Sequence, residues 1–440
     1  MLADGYDMVL DLENSKGLYL YDSKSGRKIL DFFTFFASNP LGMNHERLAG
    51  DKDFIQKIGQ AAINKPSNSD IYTEQMAEFV NTFSRVGIPG YLPYAFFVSG
   101  GALAVENALK VAFDWKVQKN FKKGYRTEKG HKVLHLDKAF HGRSGYTLSL
   151  TNTDPNKIKY FPKFDWPRIV NPVVTFPLTE KNVQQVASKE EEAIAQAEQY
   201  FNIYKDDIAC IILEPIQGEG GDNHFRIEFH QALRDLADKH EALLIYDEVQ
   251  TGIGLTGKFW AHEHYVKPDI LAFGKKAQVC GILASDRVDD IETNCFHVPS
   301  RINSTWGGNL VDMVRFTRIL EVIEEDKLVD HAAKAGSYLQ KKLNELSDSH
   351  EFLTNPRGKG LFCAIDMPDK HARDAVISEC LENNLMILGC GSRTIRFRPP
   401  LTVEEKHLDE AIDIIEKSYK AALGKCPYLT GKSMSANNGK

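Results

Sequence analysis

The sequence predicts an α/β protein: a large domain built on a mostly parallel sheet, and a smaller α+β domain assembled from both chain ends. Three observations predict it. Short, nearly all-apolar runs alternate with helical stretches through the middle of the chain, the pattern changes after Asn309, and 440 residues are enough for more than one core.

The elements follow in order. "GLYLYDSKSGRKILDF" places two β-prone runs around a Ser-Gly turn, a hairpin signal. "YAFFVSG" reads as a strand, and "GALAVENALKVAFDWKVQKNF" as a helix with Leu109, Ala112, Phe113 and Val117 on one face. "KVLHLD", "ACIILEP", "ALLIYDE" and "DILAFG" are apolar on both faces and separated by helical stretches, which indicates a parallel or mostly parallel sheet covered by helices. After Asn309, Phe316, Ile319, Leu320 and Ile323 mark a helix, and Leu408, Ala411, Ile412 and Ile415 mark a last one. The expected division is 1–60 as the N-terminal part of the small domain, 61–310 as the large domain and 311–424 as the rest of the small one. The polar stretch 425–440, "KCPYLTGKSMSANNGK", has little to bury and is expected to be a mobile tail.

Composition excludes several functions. Hydrophobic content of 42% and charged content of 26% are ordinary for a soluble protein. A net charge of −6 without a long basic run advertises neither a nucleic-acid surface nor an anionic-membrane surface. "MLADGYDMVL" has no basic region followed by an apolar core, so no secretory signal is expected, and no apolar run is long enough to span a bilayer. Seven cysteines without CxxC, and fourteen histidines without HExxH, give no disulfide framework and no metal site. A reducing, cytoplasmic location is expected.

The chemistry gathers where the strands end, because ligands of open α/β sheets sit beyond the carboxyl ends of the strands. "FFVS" ends in Gly100-Gly101, "IIL" in Glu214, "LLIY" in Asp247-Glu248 and "ILAF" in Gly274-Lys275. Gly101 and Ala102 would open a helix with exposed N–H groups, a ready phosphate site, although alone this turn reads equally well as a helix start with no ligand. In "DILAFGKKAQVCG" two lysines stand directly after a buried strand. A partly desolvated lysine can serve as a covalent catalyst. A phosphate cradle, a carboxylate and a lysine around one crevice match the needs of pyridoxal phosphate, Lys275 forming the Schiff base and Asp247 pairing with the ring nitrogen. At about 4 Å and an effective dielectric near 20 that pair is worth about 4 kcal/mol, enough to keep the ring protonated. Lys276, pointing the other way along an extended segment, reads as a surface lysine.

"IYDEVQTGIGLTG" followed by "KPDILAFGKK" resembles the signature of class III (ω-type) aminotransferases, in which an Asp, here Asp269, precedes the Schiff-base lysine by five residues. The resemblance runs from about Asn14 to Leu423 and implies the pyridoxal-phosphate-dependent transferase fold of type I. It implies that Gly101, Ala102, Phe140 (against the ring face), His141, Asp247, Gln250 and Lys275 meet the cofactor. Thr305 in "STWGGN" would reach the phosphate of the neighbouring subunit of a homodimer with shared active sites. Leu255 stands where the family often has arginine, so that loop is assigned no role. "HGRSGYTLSLTNT", "FGKKAQVCG" and "RINSTWGGNLVDMVR" resemble the members that take the ε-amino group of L-lysine, rather than those using ornithine or 4-aminobutyrate. The small-molecule substrates then implied are L-lysine and 2-oxoglutarate, with catalysis by Lys275 and Asp247. Arg143 would grip the far carboxylate of lysine bidentately, a structural salt bridge being the alternative. Asn303 would also meet the substrate. The resemblance further places Glu219 and Arg396 as a charge switch between the two substrates. A static brace is the alternative reading there, and Arg398 is a competing cation two residues along the same strand face.

Overall fold

The computed structural model describes residues 5–426, 428 and 429. Most of the expected tail, at Pro427 and beyond Leu429, therefore lies outside the described residues. The chain divides into two compact units, one of residues 1–45 and 331–440, the other of residues 46–330.

The first unit begins with β1 (Tyr19–Asp22) and β2 (Arg27–Asp31), an antiparallel hairpin turning at Gly26, which has φ +70. Immediately after β2 the residues Thr34, Phe35, Phe36 and Ala37 all carry positive φ, between 41° and 64°. One left-handed turn built without glycine costs about 1–2 kcal/mol per residue. It is tied down by the buried Asp31, whose Oδ1 accepts the N–H groups of Phe33 at 2.9 Å and Thr34 at 2.7 Å. The Thr34 hydroxyl donates to the Arg398 carbonyl at 2.7 Å.

The second unit holds α1 (Lys52–Ile63), α2 (Glu74–Val86), β3 (Tyr94–Val98), α3 (Gly101–Lys122), β4 (Lys132–Leu136), β5 (Arg168–Ile169), α4 (Glu180–Ile203), β6 (Ile208–Leu213), α5 (Ile227–Lys239), β7 (Leu243–Asp247), β8 (Ile270–Phe273), β9 (Cys280–Ala284) and α6 (Leu310–Glu325). Its seven-stranded sheet runs β3-β9-β8-β7-β6-β4-β5. β8, β7, β6, β4 and β5 are parallel, while β9 is antiparallel to both β3 and β8. The two reversals return β3 to the common direction, so its carboxyl end lies at the same edge as those of β6, β7 and β8. Alternation along the strands splits the core. Ile212 and Ile245 pack with Val105, Leu109 and Ala112 of α3, whereas Ile211, Leu213 and Leu244 pack with Ala193 and Ala197 of α4 and with Phe229 and Leu233 of α5.

The structure draws the unit boundary after Asp330, not at 310. α6 stays with the second unit because Phe316 packs against Phe79 and Phe83 of α2, at ring-centroid distances of 6.2 and 5.5 Å. For the same reason the earlier boundary falls after His45 and not at 60: α1 and α2 belong with α6. Helical periodicity alone cannot say which core an apolar face joins.

The first unit resumes within α7 (Leu328–Ser349) and continues with β10 (Thr354–Lys359), β11 (Phe362–Asp366), α8 (Lys370–Glu382), β12 (Leu385–Met386), β13 (Leu388–Cys390), β14 (Thr394–Phe397) and α9 (Glu405–Lys425). β12 adds to the first hairpin, parallel to β2, and β10-β11-β14-β13 form an antiparallel sheet. Among the described residues no helix is long and apolar enough to cross a membrane.

Candidate active site

At the carboxyl edge of the second unit's sheet lies a cavity of about 350 Å³, lined by Gly101 and Ala102, by Phe140 to Arg143, by Glu214, by Asp247 and Val249 to Thr251, and by Lys275. The strand ends that sequence reasoning picked out therefore converge. β3 leads through Gly100, at φ +117, into α3, whose 22 residues put a positive helix end at the cavity. A Cβ on Gly101 would stand 2.9 Å from Val249 Cγ1, and one on Gly142, at φ +123, 2.6 Å from the Ala102 Cβ. Both glycines thus keep open a cradle that a side chain would fill.

Asp247 ends β7 and is buried. Its Oδ2 accepts from His141 Nδ1 at 2.8 Å and its Oδ1 from the Val249 N–H at 3.1 Å. Because a carboxylate can only accept, the Nδ1 of His141 carries the proton. His141 Nε2 is buried and makes no hydrogen bond among the described residues. Glu214, one residue past β6, has its two oxygens on different segments: Oε1 accepts the Phe140 N–H at 3.0 Å and Oε2 the Gly218 N–H at 2.9 Å. Burial, helped by the Asp247 charge and opposed by His141, pushes its carboxyl up to about 7.

Lys275 follows β8 and lines the cavity from a left-handed backbone, φ +49. Asp269 sits at the other end of the same strand, where its Oδ2 accepts the Leu244 N–H at 2.7 Å and Arg234 Nη1 at 2.8 Å. The Asp-x5-Lys spacing is therefore one short strand, pinned at its start and reactive at its finish. Lys276 corrects the sequence reading. It is not a surface lysine but is buried, and its Nζ donates to the Gln250 carbonyl at 2.8 Å. The segment after Gly274 is a tight 3₁₀ turn, Lys275–Ala277, not an extended strand, so the second side chain turns inward beneath the Val249–Thr251 loop.

Arg143 is exposed at the cavity wall and forms no ion pair among the described residues. Asn303 and Thr305 stand exposed on the loop before α6 and are absent from the cavity lining. Thr305 offers its carbonyl to the Ser67 hydroxyl at 2.6 Å. Glu219, beyond Gly218, has its Oε1 2.7 Å from Lys157 Nζ. In the first unit, Arg396 on β14 is buried with its guanidinium 5.8 Å from the Phe36 ring centroid, while Arg398 lies 3.4 Å over the Phe362 ring and donates Nη1 to the Phe397 carbonyl at 2.8 Å. Sequence reasoning picked out Glu214 from its place at a strand end without giving it a role, and it did not single out Thr251, Val249 or Lys157; nothing local marks Lys157.

The helix end with its glycine cradle, the buried carboxylate and the lysine fit pyridoxal phosphate: the first would hold its phosphate, Asp247 its ring nitrogen and Lys275 its carbonyl carbon. Fold and donor set together define a pyridoxal-phosphate-dependent transferase of fold type I. The family described as aminotransferase class-III matches residues 1–418. The chain is 52% identical over 421 residues to the L-lysine-epsilon aminotransferase of Amycolatopsis lactamdurans, covering 95% of this chain and 93% of that one. It is 33% identical over 440 residues to a probable mitochondrial 4-aminobutyrate aminotransferase of Caenorhabditis elegans, covering 93% and 88%. The solved structure of lysine aminotransferase from M. tuberculosis matches with a TM-score of 0.94 at 53% identity, over 96% of this chain and 97% of that one. The chain belongs to the class-III aminotransferases and is a pyridoxal-phosphate-dependent enzyme.

Proposed function

We propose that this aminotransferase moves the ε-amino group of L-lysine to 2-oxoglutarate, giving 2-aminoadipate 6-semialdehyde and L-glutamate. The observation that carries the donor is Arg143: an exposed guanidinium at the cavity wall, three residues past Phe140 and without an ion pair among the described residues, suits a carboxylate held away from the reacting nitrogen. The names of the relatives more than half identical to this chain support the same donor.

Pyridoxal phosphate supplies the carbonyl that receives the amino group and a ring that accepts the electrons left on the ε-carbon. The protein does the rest. Lys275 would hold the cofactor covalently, and its Nζ, when free, would move the proton at the ε-carbon as general base. Asp247 would pair with the ring nitrogen, and His141 fixes that carboxylate's orientation through the 2.8 Å bond. Gln250 and Phe140 position the ring. Glu219 and Arg396 serve as substrate-binding residues. Asn303 completes the substrate contacts.

The working form is a homodimer with shared active sites. The exposed Thr305, outside its own chain's cavity, supplies a hydroxyl to the partner's phosphate. Seven free, buried cysteines suit a reducing, cytoplasmic compartment. An amino-donor panel with 2-oxoglutarate tests the reading. L-lysine should exceed ornithine, 4-aminobutyrate and diamines, and its product should cyclise to an imine. A preference for another donor would overturn the reading.

A further inference from the structure

Arg143 stands in a segment that is fastened on both sides. Before it, the Gly142 carbonyl accepts the buried Thr151 hydroxyl at 2.6 Å, and the His141 N–H donates to the same Thr151 Oγ1 at 3.0 Å. After it, the Ser144 N–H donates to Thr147 Oγ1 at 3.1 Å. Glu106 Oε1 then accepts both the Ser144 hydroxyl at 2.7 Å and the Tyr146 N–H at 2.9 Å. Glu106 belongs to α3, the helix whose first turn frames the cavity, and it follows Ala102 by four residues, so the two share a helix face. Ala102 meets Gly142, where an added Cβ would stand 2.6 Å from its own Cβ, and Glu106 meets Ser144 and Tyr146 one turn further along. One face of α3 therefore supports residues 142–146, while the Arg143 side chain stands exposed at the cavity wall.

A long, exposed guanidinium grips a carboxylate only as well as the backbone beneath it is fixed, because whatever freedom the segment keeps is lost on binding. Glu106 removes that freedom in advance. Both donors that meet its Oε1 come from residues that follow Arg143, and the Thr151 hydroxyl fixes the residue before it. We propose that Glu106 is a positioning residue for the far carboxylate of the donor: it holds residues 142–146 in the form that presents Arg143, and so favours an amine that carries a carboxylate over the same amine without one. The inference rests on the proposed use of L-lysine and on Arg143 as its grip. Glutamine offers the same Oε1 acceptor without the charge, so the bonds can be separated from the electrostatics.

The test compares L-lysine with cadaverine, the same diamine without the carboxylate, in single turnovers of the holoenzyme, and follows amide hydrogen exchange of residues 142–146. Glu106→Ala should raise the half-saturating concentration of L-lysine about tenfold, the order expected when the segment must be ordered on binding. The maximal rate with L-lysine and the half-saturating concentration of cadaverine should stay within about twofold. Exchange at the Ser144 and Tyr146 amides should quicken by about tenfold or more. Glu106→Gln should match the parent in all of these. In an Arg143→Gln background, Glu106→Ala should have no further effect on L-lysine, because the residue acts only through that guanidinium. Equal losses for the two amines would mean that Glu106 braces the cavity as a whole. A Glu106→Gln variant as impaired as Glu106→Ala would mean that its charge acts and not its bonds. An undiminished effect in the Arg143→Gln background would mean that Glu106 does not work through Arg143. Each of these results overturns the proposal while leaving the reaction intact. A parent enzyme that fails to use L-lysine overturns the reaction and this role together.

Discussion

Replacing Glu214 with glutamine separates two contributions of one buried carboxyl. The first is geometric. Glutamine offers a single carbonyl oxygen where the carboxyl offers two, so either the Phe140 or the Gly218 N–H loses its acceptor. An unsatisfied buried donor costs about 1–3 kcal/mol at every pH. The second contribution is electrostatic. Burial raises the carboxyl from 4.5 to about 7, so between those values the folded protein binds more protons than the unfolded chain. Stability then falls as pH rises through that window. At about 1.4 kcal/mol per pH unit the full loss is about 3 kcal/mol, of which about 2–3 kcal/mol falls between pH 5 and pH 8. Glutamine does not titrate, so the variant escapes this loss. Thermal midpoints of parent and Glu214→Gln should therefore differ most at pH 5, the variant being lower, and the gap should close by about 5 °C at pH 8, taking about 2 °C per kcal/mol. Parallel curves would refute the reasoning. They would show that the two N–H bonds and His141 already keep the carboxylate ionised.

Three further substitutions test other parts of the account. Asp247→Asn keeps the shape and the acceptor for His141 but removes the charge; turnover should fall by orders of magnitude, and a rate within threefold of the parent, about 0.7 kcal/mol, would show that Asp247 is not the ring's partner. Thr305→Ala should weaken cofactor retention tenfold to a hundredfold, or about 1.5–3 kcal/mol, and a fully active monomer by sedimentation would contradict the shared site. Ala37→Gly should stay within about 0.5 kcal/mol of the parent in urea unfolding, since relief of the left-handed strain offsets the lost methyl burial. A loss as large as that of Ala209→Gly in the extended strand β6 would mean that the turn is not strained.

Much of the sheet was legible because buried parallel strands leave an unmistakable mark: "ACIILEP" and "ALLIYDE" became β6 and β7 with every strand residue buried. The convergence of Gly101, Asp247 and Lys275 followed from strand direction alone. What the sequence concealed lies in backbone angles and in long-range pairs. "DFFTFFAS" contains no glycine to announce four consecutive positive φ values. The inward turn of Lys276 depends on a 3₁₀ geometry that two adjacent lysines do not reveal. Lys157 finds Glu219 across 62 positions of sequence, and no local pattern encodes such a pair.

The central claim, transfer of the terminal amine of lysine, is tested most directly by isotope. The enzyme is given 2-oxoglutarate with lysine labelled by nitrogen-15 at either the ε or the α position, and the glutamate formed is examined by mass spectrometry. The account predicts label in glutamate from ε-labelled lysine and none from α-labelled lysine. Label arriving from the α position, or glutamate that forms without label from either, would contradict it.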